Sequence, residues 1–286
     1  MTPASEHLIA LARTITLPYT QLPTARAAMI TGSAAKGLSD QYSDIDLTIY
    51  YEDVLPPEAD FQTIREANGG SERKWMMGNY DDGHFAEAYH VDGIEVQIGH
   101  TTIAAWEETI KYVLEAQEVD TPAQKAMEGT LACQALYGDD YIHHWKEQIA
   151  AYPDILAEAM VRENLRFFAV WGLNHHFQTR DATIWYYQIM VETAHKLVAV
   201  LAGINRLYFT TFQFKRMHKF IDEMKIKPDN LAGRIEALFQ SDMSQVLPDL
   251  EQLVSETVEL VETHMPQVDT SAAKARLGWQ HQPWQL

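Results

Sequence analysis

Residues 32 to 46 read Gly-Ser-Ala-Ala-Lys-Gly-Leu-Ser-Asp-Gln-Tyr-Ser-Asp-Ile-Asp, a Gly-Ser turn followed after ten intervening residues by two aspartates spaced i, i+2. Gly32 and Ser33 close the apolar run Ala27-Ala28-Met29-Ile30, and the exposed N–H groups of such a turn can hold phosphate oxygens. Asp44 and Asp46 open the segment Asp44-Ile45-Asp46-Leu47-Thr48-Ile49-Tyr50, whose apolar alternation is that of a strand. Alternate side chains of a strand share a face, so both carboxylates stand on one side and Ile45, Leu47 and Ile49 on the buried side. Two acids beside a phosphate-holding turn make a seat for magnesium, which takes oxygen ligands and keeps substrate phosphates among them. Taken singly, Gly-Ser is a turn and Asp-x-Asp is the wet face of a half-buried strand. Their order and spacing together carry the chemistry.

The surrounding elements alternate helix and strand. An amphipathic helix over 5–15 precedes strands over 27–30 and 44–51; Pro56-Pro57 starts a helix at Glu58 that Gly69-Gly70 ends; 73–77 reads as a further strand. Segments 84–91 and 94–98 flank Asp92-Gly93, a two-residue hairpin signal. In the second of them Ile94, Val96 and Ile98 take one face and Glu95 and Gln97 the other, so Glu95 is the acid there able to join the two aspartates. Asp92 competes, but aspartate before glycine suits the turn itself; Glu87, on the preceding strand, is a weaker competitor.

The constellation resembles the nucleotidyltransferase superfamily typified by DNA polymerase beta, in the branch of aminoglycoside and lincosamide nucleotidyltransferases. That family's pattern is Gly-Ser, a spacer, Asp-x-Asp or Asp-x-Glu on a strand, and a third carboxylate between apolar neighbours on a later strand. The resemblance covers the first hundred residues or so by motif and the remainder by helical character. It implies a magnesium-dependent transfer of a nucleoside monophosphate, AMP from ATP foremost, to a hydroxyl of a small acceptor. Asp44 and Asp46 would hold one or two ions, with Glu95 as third ligand and as the base that takes the acceptor's proton. Gly32 and Ser33 would cradle the terminal phosphates. Lys36 stands where relatives often carry arginine and either neutralises phosphate charge or is solvated; Ser43 either meets phosphate or serves its turn. Asn205-Arg206-Leu207-Tyr208 and the later Lys215 resemble a helix-end motif whose basic residues reach the triphosphate, although the same residues can simply end a helix.

From Ile103 onward helix-period spacing replaces strand alternation, with candidates over 104–118, 122–136, 154–177, 183–203, 213–224, 229–240 and 244–264. Pro248 favours a later start for the last of these. The fold class expected is α+β: a small mixed-sheet catalytic domain over 1–102 with helices on one side, then an all-α substrate-binding domain over 103–286, the active site lying in a cleft between them.

The chain has 286 residues, is 47% hydrophobic and carries a formal charge of −18, so it can bury a core and repels polyanions. Its basic residues form no nucleic-acid track, whereas an acidic surface attracts a cationic acceptor such as an aminoglycoside. Absence of a spanning apolar stretch argues against a membrane partner, and one cysteine, Cys133, suits a reducing cytoplasm as a small buried hydrophobe. The histidine pairs 143–144 and 175–176 lack metal-ligand spacing. Two other functions stay open, adenylylation of a protein partner as in toxin–antitoxin modules and a catalytically idle nucleotide-binding module. Both monomer and homodimer are compatible with the sequence.

Overall fold

The computed structural model describes residues 1–116, 118–119, 121–241 and 243–284, with backbone alone for 243–245. The fold is α+β and divides into two compact units: Met1–Val113 with Ala126–Ala151, and Leu114–Lys125 with Tyr152–Leu286.

The first unit is built on a six-stranded mixed sheet. In chain order its elements are α1 (Pro3–Thr20), β1 (Ala25–Ile30), the single-turn α2 (Gly32–Ala35), β2 (Ile45–Tyr51), α3 (Glu58–Ala67), β3 (Trp75–Asn79), β4 (His84–Val91), β5 (Ile94–Thr102), α4 (Ile103–Glu115), α5 (Ala123–Ala132), β6 (Gln134–Tyr137) and α6 (Asp139–Ala150). The strand order is β3-β4-β5-β2-β1-β6. β2 and β5 run parallel, with Ile45 beside Val96, Asp46 beside Gln97 and Leu47 beside Ile98; the other neighbours are antiparallel. The turn between β4 and β5 is the expected two-residue one: Asp92 and Gly93 both have positive φ, 51° and 80°, as a hairpin whose twist matches its strands requires.

Thr2 caps α1 by accepting from the Ser5 N–H at 3.1 Å, and Pro3 follows where a missing N–H costs nothing. The helix lays Leu8, Ile9, Ala12, Ile15 and Tyr19 on one face of the sheet, where Ile45, Leu47, Ile49, Val96 and Ile98 point, and α3 adds Phe61 and Ile64. The opposite face is covered only in part. Tyr50 packs between Trp106 of α4 and Trp145 of α6, at ring-centroid distances of 5.8 and 4.5 Å. Toward the start of β2 the same face stays half-buried at Asp44, Asp46, Glu95 and Gln97. Helices therefore lie on both sides of the sheet, where the sequence pointed to one, because Tyr50 and the two tryptophans form an aromatic core that alternation along β2 alone does not disclose.

Two further differences share a cause. The helix expected over 122–136 stops at Ala132, residues 134–137 pair with β1, and α6 follows where no helix was anticipated. The free edge of β1 offers those four residues backbone partners, and pairing there outweighs local helix propensity. Gly138 makes the corner, since a Cβ on it would lie 2.1 Å from the Arg26 carbonyl oxygen. The expected boundary at 102–103 thus falls inside this unit, which takes in most of α4, most of α5, β6 and α6.

The second unit is helical, with α7 (Asp154–Asn164), α8 (Asn174–Thr179), α9 (Thr183–Ile204), α10 (Met217–Asp222), α11 (Leu231–Gln240), α12 (Met243–His264) and α13 (Ser271–Lys274). The helix expected over 154–177 breaks at Asn164, whose amide donates to the Met160 carbonyl at 2.9 Å and competes with the helix ladder. α12 runs through Pro248, held by the buried Leu250, Leu253, Val254, Val258 and Val261. Among the described residues no helix is long and apolar enough to cross a membrane.

Candidate functional site

β1 delivers the chain into the Gly-Ser turn, and the turn is fastened to β2 by the Thr31 N–H, which donates to the Asp46 carbonyl at 2.9 Å. Gly32 has φ +64°, a left-handed conformation that disfavours side chains, and a Cβ on it would come 1.9 Å from Asp46 Oδ2. The Asp46 carboxylate is therefore packed directly against the turn, and glycine is demanded there twice, by backbone and by contact. Ser33 sits beside it with its hydroxyl 3.0 Å from that of Ser39. The following loop is pinned from outside. Thr2 Oγ1 donates to the Ser39 carbonyl at 2.8 Å, and the Ser39 N–H donates to Ser5 Oγ at 3.0 Å. The cap of α1 thus also holds the loop that leads to the acids.

Asp44 lies one residue ahead of β2, and Glu95 is the second residue of β5. The parallel register brings them to the same end of the same face, where both meet one side chain: Gln97 Nε2 donates to Asp44 Oδ2 at 3.0 Å and to Glu95 Oε1 at 2.9 Å. Gln97 is in turn the strand partner of Asp46. All four groups are half-buried, on a face whose neighbours along each strand, Ile45, Leu47, Val96 and Ile98, are buried behind them.

The two competitors for the third acid are accounted for structurally. Asp92 occupies the hairpin turn. Glu87 is fully buried on the opposite face, accepting from Arg65 at 2.9 Å and from Arg73 at 2.8 Å, with His100 Nε2 3.7 Å from its other oxygen. Burial alone would raise the Glu87 carboxyl; the neighbouring His100 and the Arg73 guanidinium overcome it and hold it below the usual range. Burial lowers His100 despite the attraction of Glu87, so its imidazole favours the neutral form.

The remaining candidates are placed as follows. Lys36 is ion-paired with Glu128 of α5. Ser43 closes its own turn, accepting from the Asp40 N–H at 3.0 Å. Arg206 and Lys215 belong to the helical unit. Arg206 follows α9 with φ +54°; its N–H donates to the Gly203 carbonyl at 3.1 Å and that of Leu207 to the Ala202 carbonyl at 2.9 Å, the paired bonds of a Schellman helix end. Its guanidinium is paired with Asp154. Lys215 extends over the Phe212 ring, 5.3 Å from the centroid. Cys133 is buried, and burial raises its thiol away from the reactive thiolate form. Gln97 was visible in the sequence only as a neighbour on Glu95's face; its bridging position depends on the pairing of β2 with β5.

Among the described residues no three His, Cys, Asp or Glu side chains are gathered so as to hold a metal ion by themselves. The oxygen donors present still suit magnesium, because that ion is commonly held by one or two carboxylates with substrate phosphates and water completing its shell rather than by an all-protein cage.

No protein-family model matches this chain, and no curated protein does. Among solved structures, a nucleotidyltransferase-like protein from Exiguobacterium sibiricum 255-15 is similar at 13% identity with a TM-score of 0.39, over 90% of this chain and 77% of that one, a likeness too slight to bear on function.

Proposed function

We propose that this chain is a metal-dependent nucleotidyltransferase of the DNA polymerase beta-like superfamily, moving a nucleoside monophosphate, AMP from ATP, to a hydroxyl of a small acceptor. The observation that carries the reading is the seating of Asp46 on Gly32, which joins the Gly-Ser turn to the acid pair as one structure. Spacing alone left that union an expectation. Support comes also from Asp44 and Glu95 meeting at one amide on the same face.

In this reading Asp44 and Asp46 hold magnesium, with Glu95 beside them. Magnesium, when bound, neutralises phosphate charge and stabilises the attacking and departing oxygens of an in-line displacement. Ser33 and the turn amides orient the terminal phosphates, so that pyrophosphate is the leaving group. Glu95 takes the proton of the acceptor hydroxyl, a poor nucleophile until deprotonated, as its oxygen bonds to the α-phosphorus. The turn and its loop, tied down by Thr2 and Ser5, fix these groups before substrate arrives. Arg206 and Lys215 have no part in the reading. The formal charge of −18 favours a cationic acceptor, for which the aminoglycoside and lincosamide classes are our choice.

The test is thermal stabilisation by ATP with magnesium, followed by pyrophosphate release across a panel of hydroxyl-bearing cationic acceptors. Asp46→Asn should abolish both while leaving the circular dichroism spectrum unchanged. Release at the wild-type rate by that variant would refute the assignment.

A further inference from the structure

Gln97 has a place in this site that the family pattern of three acids leaves unassigned. It stands on β5 beside Asp46, and its Nε2 donates one bond to Asp44 and one to Glu95, at 3.0 and 2.9 Å. An amide nitrogen has two protons and no lone pair to offer, so it satisfies two acceptors at once; the amide oxygen in that position would be repelled by both carboxylates. An uncharged NH2 group therefore takes up the ground between two acids, where a divalent ion would otherwise be drawn. This fits the finding that among the described residues no three ligating side chains are gathered around a cation position.

We propose that Gln97 is a positioning residue that engages Asp44 and Glu95 in the nucleotide-free protein and withholds them from free divalent cations, so that the cation enters together with the triphosphate. The inference rests on the transferase reading above. A free ion must shed water and also displace two hydrogen bonds to charged acceptors, each stronger than a neutral bond. An ion carried on a triphosphate arrives with part of its oxygen shell supplied by phosphate, and the phosphate oxygens offer the displaced Gln97 amide new anionic acceptors, so that its hydrogen bonds are exchanged there and not lost. Leucine at this position would leave the acids unopposed and open to any ion, and glutamate would add a further anionic ligand. Glutamine holds the acids in place without either effect.

The experiment measures binding of Mn2+ by the full-length protein, from the loss of the free-ion paramagnetic resonance signal. It is run with the metal alone and with an ATP analogue whose α,β-bridge resists cleavage, after allowance for Mn2+ held by the analogue itself. Wild type should bind Mn2+ weakly alone and far more tightly with the analogue. Gln97→Leu should bind Mn2+ alone at least about tenfold more tightly than wild type, the factor that one of the two charge-assisted hydrogen bonds already supports, while its affinity with the analogue changes little. A residue important only for folding would not narrow that gap. Gln97→Met, close in size and without the amide protons, should gain to the same extent, and it carries the comparison if the leucine variant does not fold. If neither variant binds Mn2+ alone more tightly while wild type takes it up with the analogue, the inference is overturned and the transferase reading stands. If wild type takes up Mn2+ under neither condition, the transferase reading fails and the inference with it.

Discussion

Gly32→Ala separates the part glycine plays in the site from its part in the fold. Alanine would be held at φ +64°, which costs about 1–2 kcal/mol for a residue with a Cβ. In a domain of this size, 1 kcal/mol lowers the melting temperature by about 2–4 °C, so the variant should remain folded at room temperature. The local effect is larger. The new Cβ would lie 1.9 Å from Asp46 Oδ2, against an ordinary contact near 3.5 Å, so the carboxylate must retreat by about 1.5 Å or the turn must move away from β2. Misplacement of a positioned group by 1 Å costs about a hundredfold in rate. Gly32→Ala should therefore lose at least about two decades of pyrophosphate release while unfolding only slightly earlier in urea. The assay pairs a urea midpoint with calorimetric titration of a Mn2+–nucleotide complex. Gly32→Ala should match Asp46→Asn in its lost binding. Wild-type binding by the alanine variant, at reduced stability, would show that Asp46 and the turn do not act together and would undo the reasoning from contact to function.

Two further outcomes follow from groups outside the acid face. Arg206 holds a left-handed backbone at the end of α9, where glycine is preferred, and its pairing with Asp154 is exposed and of little worth; Arg206→Gly should raise stability by up to about 1 kcal/mol, seen as a higher urea midpoint, and a lower midpoint would contradict the cap assignment. The buried His100 is held neutral in the fold, while in the unfolded chain it titrates near 6.5. As the pH falls through that value toward the folded one, the unfolded chain gains a proton that the fold refuses, and stability declines by at most about 1.4 kcal/mol per pH unit. His100→Gln should flatten that decline; equal slopes of urea midpoint against pH for the two proteins would show that His100 is not linked to folding. The lowered carboxyl of Glu87 adds a further loss in the carboxylate range, which begins as pH falls below the carboxyl's unfolded value and is complete below its folded one.

Much of the candidate site was legible in the sequence. Period-two alternation placed Asp44 and Asp46 together on one face of their strand and Glu95 with Gln97 together on one face of theirs, because the pleat leaves a strand only two sides. The Asp92-Gly93 turn was readable for a similar reason, since few residues accept positive φ at both central positions. Helix periodicity marked α9 nearly to its ends, whereas β6 and α6 were missed because their conformation follows from the edge of β1 and the aromatic cluster around Tyr50, partners far away in the chain.

Alternation says which residues share a side of one strand and nothing about which strand lies next to it, or in what register. The parallel pairing of β2 with β5 joins segments about fifty residues apart, and it alone brought Gln97 between Asp44 and Glu95. The close seat of Asp46 on Gly32 was likewise settled by packing, as the turn and the strand were pressed together by the core beneath them. Residue types and their faces are local properties, set by backbone geometry over a few bonds. Distances between those faces depend on how the whole sheet buries its apolar side, and only the assembled fold supplies them.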